Sequence, residues 1–181
     1  VIYPLVYAIA AGNSAIIKPS EFSSNTANVI SIMIKELFDE NEVAVVEGGV
    51  PEATALLALP FNHIHFTGSP KVGKIIMAAA AKNLTAVTLE LGGKSPVIID
   101  GSTNINSTAE KICWGKTLNS GQTCIAPDFA IVHKKVLNGF IEGFKNACEK
   151  FYNPENKGIE QSKDYGRIIN DANFDRVQEL L

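Results

Sequence analysis

Short apolar runs alternate with amphipathic stretches along the first half of the chain. Four runs rich in β-branched and other apolar residues end close to Pro, Gly or a charged residue, as buried strands do. They occupy residues 15–18, 43–46, 63–67 and 86–89. The stretches between them place apolar side chains three or four residues apart, which is the spacing of a helix face. This alternation predicts an α/β fold with a parallel sheet and flanking helices.

Glycine, proline and serine mark where the intervening helices begin and end. Gly12 stops the opening helix in the way that C-terminal helix glycines do. Serine caps and first-turn prolines mark the later starts, at Ser23 or Ser24, then Pro51, then Ser69 with Pro70. The apolar face expected after Ser24 consists of Ile30, Met33, Ile34, Leu37 and Phe38. Alanines at 78–81 predict a helix that packs closely against the sheet.

The pattern changes after Gly93, and we place a domain boundary there, between residues 1–92 and 93–181. Ser107 and Glu110 have the spacing of a capping box for a helix that reaches about residue 118. The other elements expected in this part are strands at 97–99 and 129–132, an amphipathic helix at 136–151 and a polar loop at 153–163. A last helical pattern consists of Phe174, Val177, Leu180 and Leu181.

Both ends of the chain look cut, because Val1 rather than Met opens it and Leu181 lies inside a helical pattern. We therefore interpret the 181 residues as an internal piece of a longer protein. The apolar opening, residues 1–11, is far shorter than the ~20 residues that span a bilayer. It also lacks the basic start of a signal sequence. We expect no membrane contact from this segment and a cytoplasmic protein.

Charge and cysteine content argue against several classes of partner. The net charge is −3, the isoelectric point is about 5.6 and the charges are interspersed, so we expect no nucleic-acid surface. Cys113, Cys124 and Cys148 are odd in number, and their spacing fits neither a zinc ribbon nor a CxxC redox motif. We expect free thiols in a reducing compartment and no metal site.

Two polar turns follow predicted strands, at the sheet edge where α/β proteins bind ligands. Lys18 and Glu21 could bind ribose hydroxyls, although a solvated turn has the same composition. The segment 66–74 has nearly the spacing of a P-loop, but Ile75 replaces the hydroxyl residue that would hold magnesium. Taken alone, Gly68 and Ser69 indicate a well-capped strand-to-helix turn, beside which a phosphate could also bind.

Glu90 and Cys124 are the candidates for reactive chemistry. Glu90 follows an apolar strand, where it either activates a water as a general base or caps a nearby turn. Cys124 follows Gly121 in a polar turn, whereas Cys113 and Cys148 are expected to pack in the core. A thiol nucleophile and a carboxylate base on separate elements are a pairing that covalent catalysis uses.

Four motifs occur together in the order and spacing of the aldehyde dehydrogenase superfamily, which the chain resembles over nearly its whole length. They are Lys18-Pro19-Ser20-Glu21, Phe66-Thr67-Gly68-Ser69, Leu89-Glu90-Leu91-Gly92-Gly93-Lys94-Ser95-Pro96 and Gly121-Gln122-Thr123-Cys124. Residues 9–13 and 164–169 look most like the fatty-aldehyde (class 3) branch. The resemblance implies a Rossmann-like cofactor-binding domain over 1–92 and part of a second α/β catalytic domain over 93–181.

The resemblance also implies a role for each candidate residue. Cys124 would attack the carbonyl carbon of an aldehyde substrate, and the thiohemiacetal would become a thioester after hydride transfer to a nicotinamide. Glu90 would activate the water that releases the carboxylic acid. Lys18 and Glu21 would hold the adenine-side ribose.

Further implied roles concern the cofactor and the assembly. Gly68 and Ser69 would help seat the pyrophosphate, and Gly92 would keep the backbone thin near the nicotinamide. Because Glu21 suits a free 2′-hydroxyl better than a 2′-phosphate, we expect NAD, with NADP often accepted in this branch. We expect the full-length protein to form a homodimer.

Two alternatives stay open at the level of sequence. The thioester could pass to coenzyme A, as in acylating branches, although Glu90 fits hydrolysis better. The chain could also be a non-catalytic nucleotide-binding product. The family's Trp-Asn stretch would precede Val1 and its Glu-Ile-Phe-Gly-Pro stretch would follow Leu181, so we expect this piece alone to be inactive or nearly so.

Overall fold

The computed structural model describes residues 1–180, and its elements alternate between helix and strand. In chain order they are α1 (Ile2–Ala10), β1 (Ala15–Ile17), α2 (Ser24–Leu37), β2 (Val43–Val45), α3 (Val50–Leu57), β3 (His63–Gly68), α4 (Pro70–Ala80), β4 (Ala86–Leu91), β5 (Ser95–Ile99), α5 (Ile105–Thr117), β6 (Pro127–Val132), α6 (Leu137–Tyr152) and α7 (Asp171–Gln178). They group into two compact units, Val1–Leu91 and Gly92–Leu181.

Every strand pair is parallel, which confirms the predicted α/β class. The pairs are β1 with β2, β3 with β4, and β5 with β6. The single sheet expected from the first four strands is instead two hydrogen-bonded pairs within the described residues. Alternation along a chain predicts parallel strands joined by helices, but it does not specify which strand edges exchange hydrogen bonds.

The first unit packs α1 and α2 against the β1–β2 pair. Leu5, Ile17, Ile34 and Val43 form this core, one residue from each element. The helix face predicted for α2 is partly wrong, because Met33 and Leu37 are 37% and 65% exposed. Ile34 is buried as predicted, and Ile30 and Phe38 pack against the core. The helix also buries Ala27 and Ser31, which lie two turns and one turn before Ile34 on a neighbouring stripe.

Helix α4 covers the β3–β4 pair and begins as the sequence predicts. Pro70 lies in its first turn, and the Val72 N–H donates to the Ser69 hydroxyl over 3.2 Å. Position 73 has little room for a side chain, because a Cβ added to Gly73 would lie 3.0 Å from a methyl carbon of Leu91. This close approach confirms that the helix packs tightly against the strands beneath it.

The second unit packs α5 and α6 against the β5–β6 pair. Ile99, Ala109 and Phe140 form its core. The two helices approach closely at Gly143, where an added Cβ would lie 3.0 Å from the Ala109 Cβ. The amphipathic character predicted for α6 is confirmed by buried Phe140 and Ala147.

The cap of α5 differs from the prediction. Asn104 is the capping residue, and its side-chain oxygen accepts the Ser107 N–H over 3.2 Å. Ser107 lies inside the helix, and Glu110 forms an ion pair with Lys150 at 2.7 Å. The capping-box prediction was therefore wrong. The Asn104 side-chain oxygen accepts the Ser107 N–H, which the Glu110 carboxylate would accept in a capping box.

The loop predicted for residues 153–163 is confirmed, with one 3₁₀ turn at Ile159–Gln161, and it continues to residue 170. Asn170 caps α7 by accepting the Asn173 N–H over 2.9 Å. Leu181, the last residue of the predicted helical pattern, lies outside the described residues. Within residues 1–180, the helices lack the length and apolar composition needed to cross a membrane.

The Asn104 cap is open to a direct test. We expect Asn104→Ala to lower the free energy of unfolding by ~1 kcal/mol, because the Ser107 N–H loses its acceptor. The matched variant Ser107→Ala should change it by less than about 0.5 kcal/mol, since that hydroxyl is at an exposed surface position. Urea unfolding followed by circular dichroism measures both. Equal losses in the two variants would contradict the assignment.

Candidate functional site

Lys18 and Glu21 lie together just after β1. The Lys18 ammonium donates to the carbonyl oxygens of Pro19 and Gly48, each over 2.8 Å, and lies 3.4 Å from a Glu21 carboxylate oxygen. Lys18 thereby links the end of β1 to the loop after β2. Its side chain is 21% exposed and that of Glu21 is 40% exposed. The pair presents an ammonium and a carboxylate at one edge of the β1–β2 sheet.

Gly68, Ser69 and Glu90 lie at the equivalent edge of the β3–β4 pair. Gly68 is the last residue of β3, and Ser69 is the N-cap of α4. Glu90 lies within β4 rather than after it, in register with Thr67. Parallel strands bring these residues to the same edge because both strands end there.

Glu90 is exposed for a reason that the strand geometry supplies. Its neighbours Leu89 and Leu91 both lie near Gly73 of α4. Since successive side chains of a strand point to opposite faces, Glu90 points away from that helix. The carboxylate is therefore exposed rather than buried in the apolar layer, where an unpaired charge would be costly.

Gly92 and Gly93 have different structural requirements. An ideal Cβ on Gly92 would meet no atom of the described residues within 4 Å. A Cβ on Gly93 would lie 3.0 Å from the carbonyl oxygen of Cys124, so only glycine fits there without a shift. Gly93 was not among the predicted site residues, and its position in the Gly-Gly pair was the available signal. The contact with Cys124 thus explains why glycine occupies position 93, whereas the described residues leave open space beside Gly92.

The three cysteines have different environments. Cys124 is exposed, Cys113 is buried and Cys148 is half-buried, and all three are free thiols. The Cys113 and Cys148 sulfur atoms are 3.4 Å apart between α5 and α6. Burial, followed by the hydrogen bond with Cys148, raises the pKa of Cys113 to about 12. Cys124 is therefore the thiol that a surface reagent can reach.

The turn that precedes Cys124 has an uncommon backbone. Asn119, Ser120 and Gly121 have φ values of 52°, 55° and 78°, all in the left-handed region. Gly121 adopts it at little cost and Asn tolerates it, whereas Ser does so less readily. Sequence reasoning assigned no role to Gln122, whose side chain contacts this turn and residues 167 and 169.

Cys124 and Gly93 lie in the second unit, whereas Lys18, Glu21, Gly68, Ser69 and Glu90 lie in the first. The second unit thus carries an exposed thiol, and the first unit carries an exposed carboxylate and polar strand ends. The model of the family described as "Aldehyde dehydrogenase family" matches residues 1–181. This chain belongs to the aldehyde dehydrogenase family. The resemblance stated from the four motifs is thereby confirmed.

The relatives of this chain belong to the class 3 branch of the family. It is 50% identical over 99% of its length to the dimeric, NADP-preferring aldehyde dehydrogenase of Rattus norvegicus and covers 39% of that protein. It is 49% identical over 98% of its length to aldehyde dehydrogenase family 3 member A2 of Mus musculus and covers 36% of it. The chain thus spans less than two-fifths of these relatives.

A solved structure of this family has the same fold as the chain. The substrate-bound state of Staphylococcus aureus AldH superposes with a TM-score of 0.89 at 50% sequence identity. The match covers 98% of this chain and 38% of that one. The predicted fold, family and branch therefore agree with sequence and structural comparison alike.

The differences among the cysteines predict a labelling pattern. We expect iodoacetamide at pH 8 to modify Cys124 alone in the folded chain and all three cysteines in guanidinium chloride. Peptide mass spectrometry of the labelled chain measures this. Modification of Cys113 at the rate of Cys124 in the folded state would contradict the assigned burial.

The buried environment of Cys113 predicts a loss of stability at alkaline pH. An unfolded thiol ionises near pH 8.5, whereas the folded Cys113 thiol stays neutral until about pH 12. The unfolded chain therefore releases a proton first, and stability falls as pH rises between these values. We expect Cys113→Ala to show a flatter decline in unfolding free energy from pH 8 to 11 than the parent chain.

Proposed function

We propose that this chain is the nucleotide-binding and thiol-bearing part of an NAD(P)-dependent enzyme that oxidises aldehydes to carboxylic acids. Residues 1–92 would bind the cofactor, and residues 93–181 would form part of the catalytic domain. The observation that carries this proposal is the exposed Cys124 at the end of a glycine-containing turn, in a chain of the aldehyde dehydrogenase family. Buried Cys113 and half-buried Cys148 offer no comparable nucleophile.

The residues of the first unit fit a dinucleotide cofactor. Ser69 starts α4, whose N-terminal N–H groups attract a pyrophosphate, and Gly68 lets the phosphate approach. Lys18 and Glu21, just after β1, are hydrogen-bonding groups suited to ribose hydroxyls. The open space beside Gly92 would accept a flat ring. When bound, the nicotinamide of this cofactor supplies a hydride acceptor.

Two side chains would carry the acyl chemistry. The Cys124 thiol would lose its proton to solvent as its sulfur attacks the aldehyde carbonyl carbon. The hydride on that carbon would then pass to the bound cofactor and leave a thioester on the sulfur. Glu90 takes a proton from a water, which attacks the thioester and releases the carboxylic acid and the thiol. An exposed carboxylate on β4, facing away from α4, has access to the water that this role requires.

The acid at position 21 bears on the choice between NAD and NADP. The Glu21 carboxylate would repel the 2′-phosphate of NADP, and Lys18 at 3.4 Å reduces that repulsion. We infer a preference for NAD with use of NADP as well. The rat relative is described as NADP-preferring, so the inferred preference of this chain for NAD differs from that of the rat relative.

We infer the substrate class and the oligomeric state from the relatives of this chain. The mouse relative is family 3 member A2, and the class 3 resemblance favours medium or long aliphatic or aromatic aldehydes. The rat relative is described as dimeric. We infer a homodimer for the whole protein that contains this chain.

The nucleophile and the base can be separated by mutation in the complete protein. We expect Cys124→Ala to abolish aldehyde oxidation, while Cys148→Ala retains it. Glu90→Gln should give one burst of reduced cofactor and then turnover slowed by roughly 10²-fold or more, because thioester hydrolysis loses its base. Stopped-flow absorbance at 340 nm and mass spectrometry of the acyl-enzyme measure both steps. Steady-state turnover unchanged in Glu90→Gln would exclude that residue as the base.

Product analysis tests the overall reaction. We expect the free carboxylic acid with or without coenzyme A. An acyl-coenzyme A product formed only when the thiol is added would identify the acylating branch instead. Absence of turnover with intact cofactor binding would identify a nucleotide-binding protein.

The cofactor preference has its own variant. We expect Glu21→Gln to raise the kcat/KM for NADP relative to NAD by roughly fivefold, about 1 kcal/mol of lost charge repulsion near the surface. Glu36→Gln, which removes an exposed acid from α2, should leave the ratio unchanged. Steady-state kinetics with both cofactors measure the ratio. An unaltered ratio in Glu21→Gln would place the 2′-position away from this carboxylate.

A further inference from the structure

The turn before Cys124 is held by a side chain with no assigned role. Gln122 donates from its amide nitrogen to the carbonyl oxygens of Asn119, over 2.9 Å, and Arg167, over 3.0 Å. Its amide oxygen accepts the Ile169 N–H over 2.9 Å. These partners match both ends of the amide, since the nitrogen faces two acceptors and the oxygen faces one donor. One side chain thus joins the turn to a loop segment 45–47 residues later.

The backbone of the turn depends on that connection. Residues 119–121 lie in the left-handed region, where a non-glycine residue costs roughly 1–2 kcal/mol. The Gln122 N–H also donates to the Asn119 carbonyl, over 3.1 Å, and the Asn119 amide nitrogen donates to the Gln122 carbonyl, over 3.2 Å. The reciprocal bonds close the turn locally, and the side-chain bonds attach it to residues 167 and 169.

The segment that receives Gln122 is itself fixed. The Arg167 guanidinium donates to the carbonyl oxygens of Tyr165, Gly166 and Glu160, over 2.7, 3.0 and 2.7 Å. The Tyr165 ring packs edge-on against Tyr152, with centroids 5.0 Å apart. Residues 165–169 therefore form a supported surface behind the turn.

Gly166 and Ser120 form a second point of contact between the same two segments. A Cβ on Gly166 would lie 2.9 Å from the Ser120 hydroxyl oxygen. That oxygen is buried and has no hydrogen-bond partner among the described residues. The turn and the later segment are thus in direct van der Waals contact at a position where only glycine fits.

We infer that Gln122 is a positioning residue that holds the Cys124 turn against residues 165–169. This inference rests on the proposed role of Cys124 as the nucleophile. Gln122 does not touch the reacting atoms in this assignment, and it acts through the backbone that carries the thiol. Loss of its three side-chain bonds should release the turn and move the sulfur from its reactive position, and misplacement by about 1 Å can cost roughly 10²-fold in rate.

The test uses the complete protein and two readouts of Cys124. Gln122→Met keeps the side-chain length and removes the hydrogen bonds, and Gln122→Glu places a carboxylate opposite two carbonyl oxygens. We expect both to lower kcat roughly tenfold to hundredfold with little change in the KM for NAD. The rate of Cys124 alkylation by iodoacetamide should change in the same variants, with a different pH profile. Gln161→Met, an exposed glutamine of the same unit, is the matched control and should match the parent.

A size-complementation pair tests the contact from the other side. We expect Gly166→Ala to alter Cys124 alkylation and lower kcat, because its methyl group displaces the Ser120 hydroxyl. Adding Ser120→Ala removes that oxygen and should restore most of both values. Removal of a buried, unpaired hydroxyl carries no hydrogen-bond loss, so Ser120→Ala alone should stay close to the parent.

The outcomes separate this inference from the proposed function. Alkylation of Cys124 needs no aldehyde or cofactor, so it reports the turn even if the protein oxidises no aldehyde. Parent-like alkylation profiles and kcat values in folded Gln122→Met and Gln122→Glu would overturn the inference. If those variants do not fold, failure of Ser120→Ala to rescue Gly166→Ala would overturn it. Loss of activity in Cys124→Ala tests only the role of Cys124 as the nucleophile. The positioning role of Gln122 is tested by the Gln122, Gly166 and Ser120 variants.

Discussion

A left-handed turn that needs outside support is the constraint behind the candidate nucleophile. Asn119, Ser120 and Gly121 leave the ordinary helical region directly after α5 ends at Thr117. Such a turn persists only where neighbouring groups over-determine it. The amide of Gln122, which binds the turn on one side and residues 167 and 169 on the other, provides that restraint. The exposure of Cys124 follows from the way this turn leaves the core.

A second constraint collects the polar residues of the first unit. Its strands run parallel, so their carboxyl ends meet at common edges. Lys18 and Glu21 follow one such end, and Gly68, Ser69 and Glu90 lie at another. The cap of α4 adds a helix N-terminus to the second of these edges. Each edge thus presents polar groups at strand ends, where α/β proteins bind ligands, and the helix N-terminus favours an anion.

The cysteines show how burial sorts identical side chains into different chemistry. Cys113 lies in the α5–α6 contact beside Cys148, where an ionised sulfur would lose its solvation, and the raised pKa of Cys113 expresses that cost. Cys124 lies outside any apolar face. The polar residues around it in the sequence already distinguish it from the other two cysteines.

The order and type of the elements, the start of α4 at Ser69, the α/β class and the family can all be inferred from the amino-acid sequence. Each of these depends on local spacing, on side-chain type or on motifs a few residues long. The folded chain was needed to show that Asn104 rather than Ser107 caps α5, which side chains of α2 are buried, and which strand edges pair. It also decided the partners of Gln122, because contacts between residues 45 or more positions apart leave no periodic trace in the chain. Helix starts, element types and motifs depend on neighbouring residues, whereas a restraint between distant segments exists only once the chain has folded.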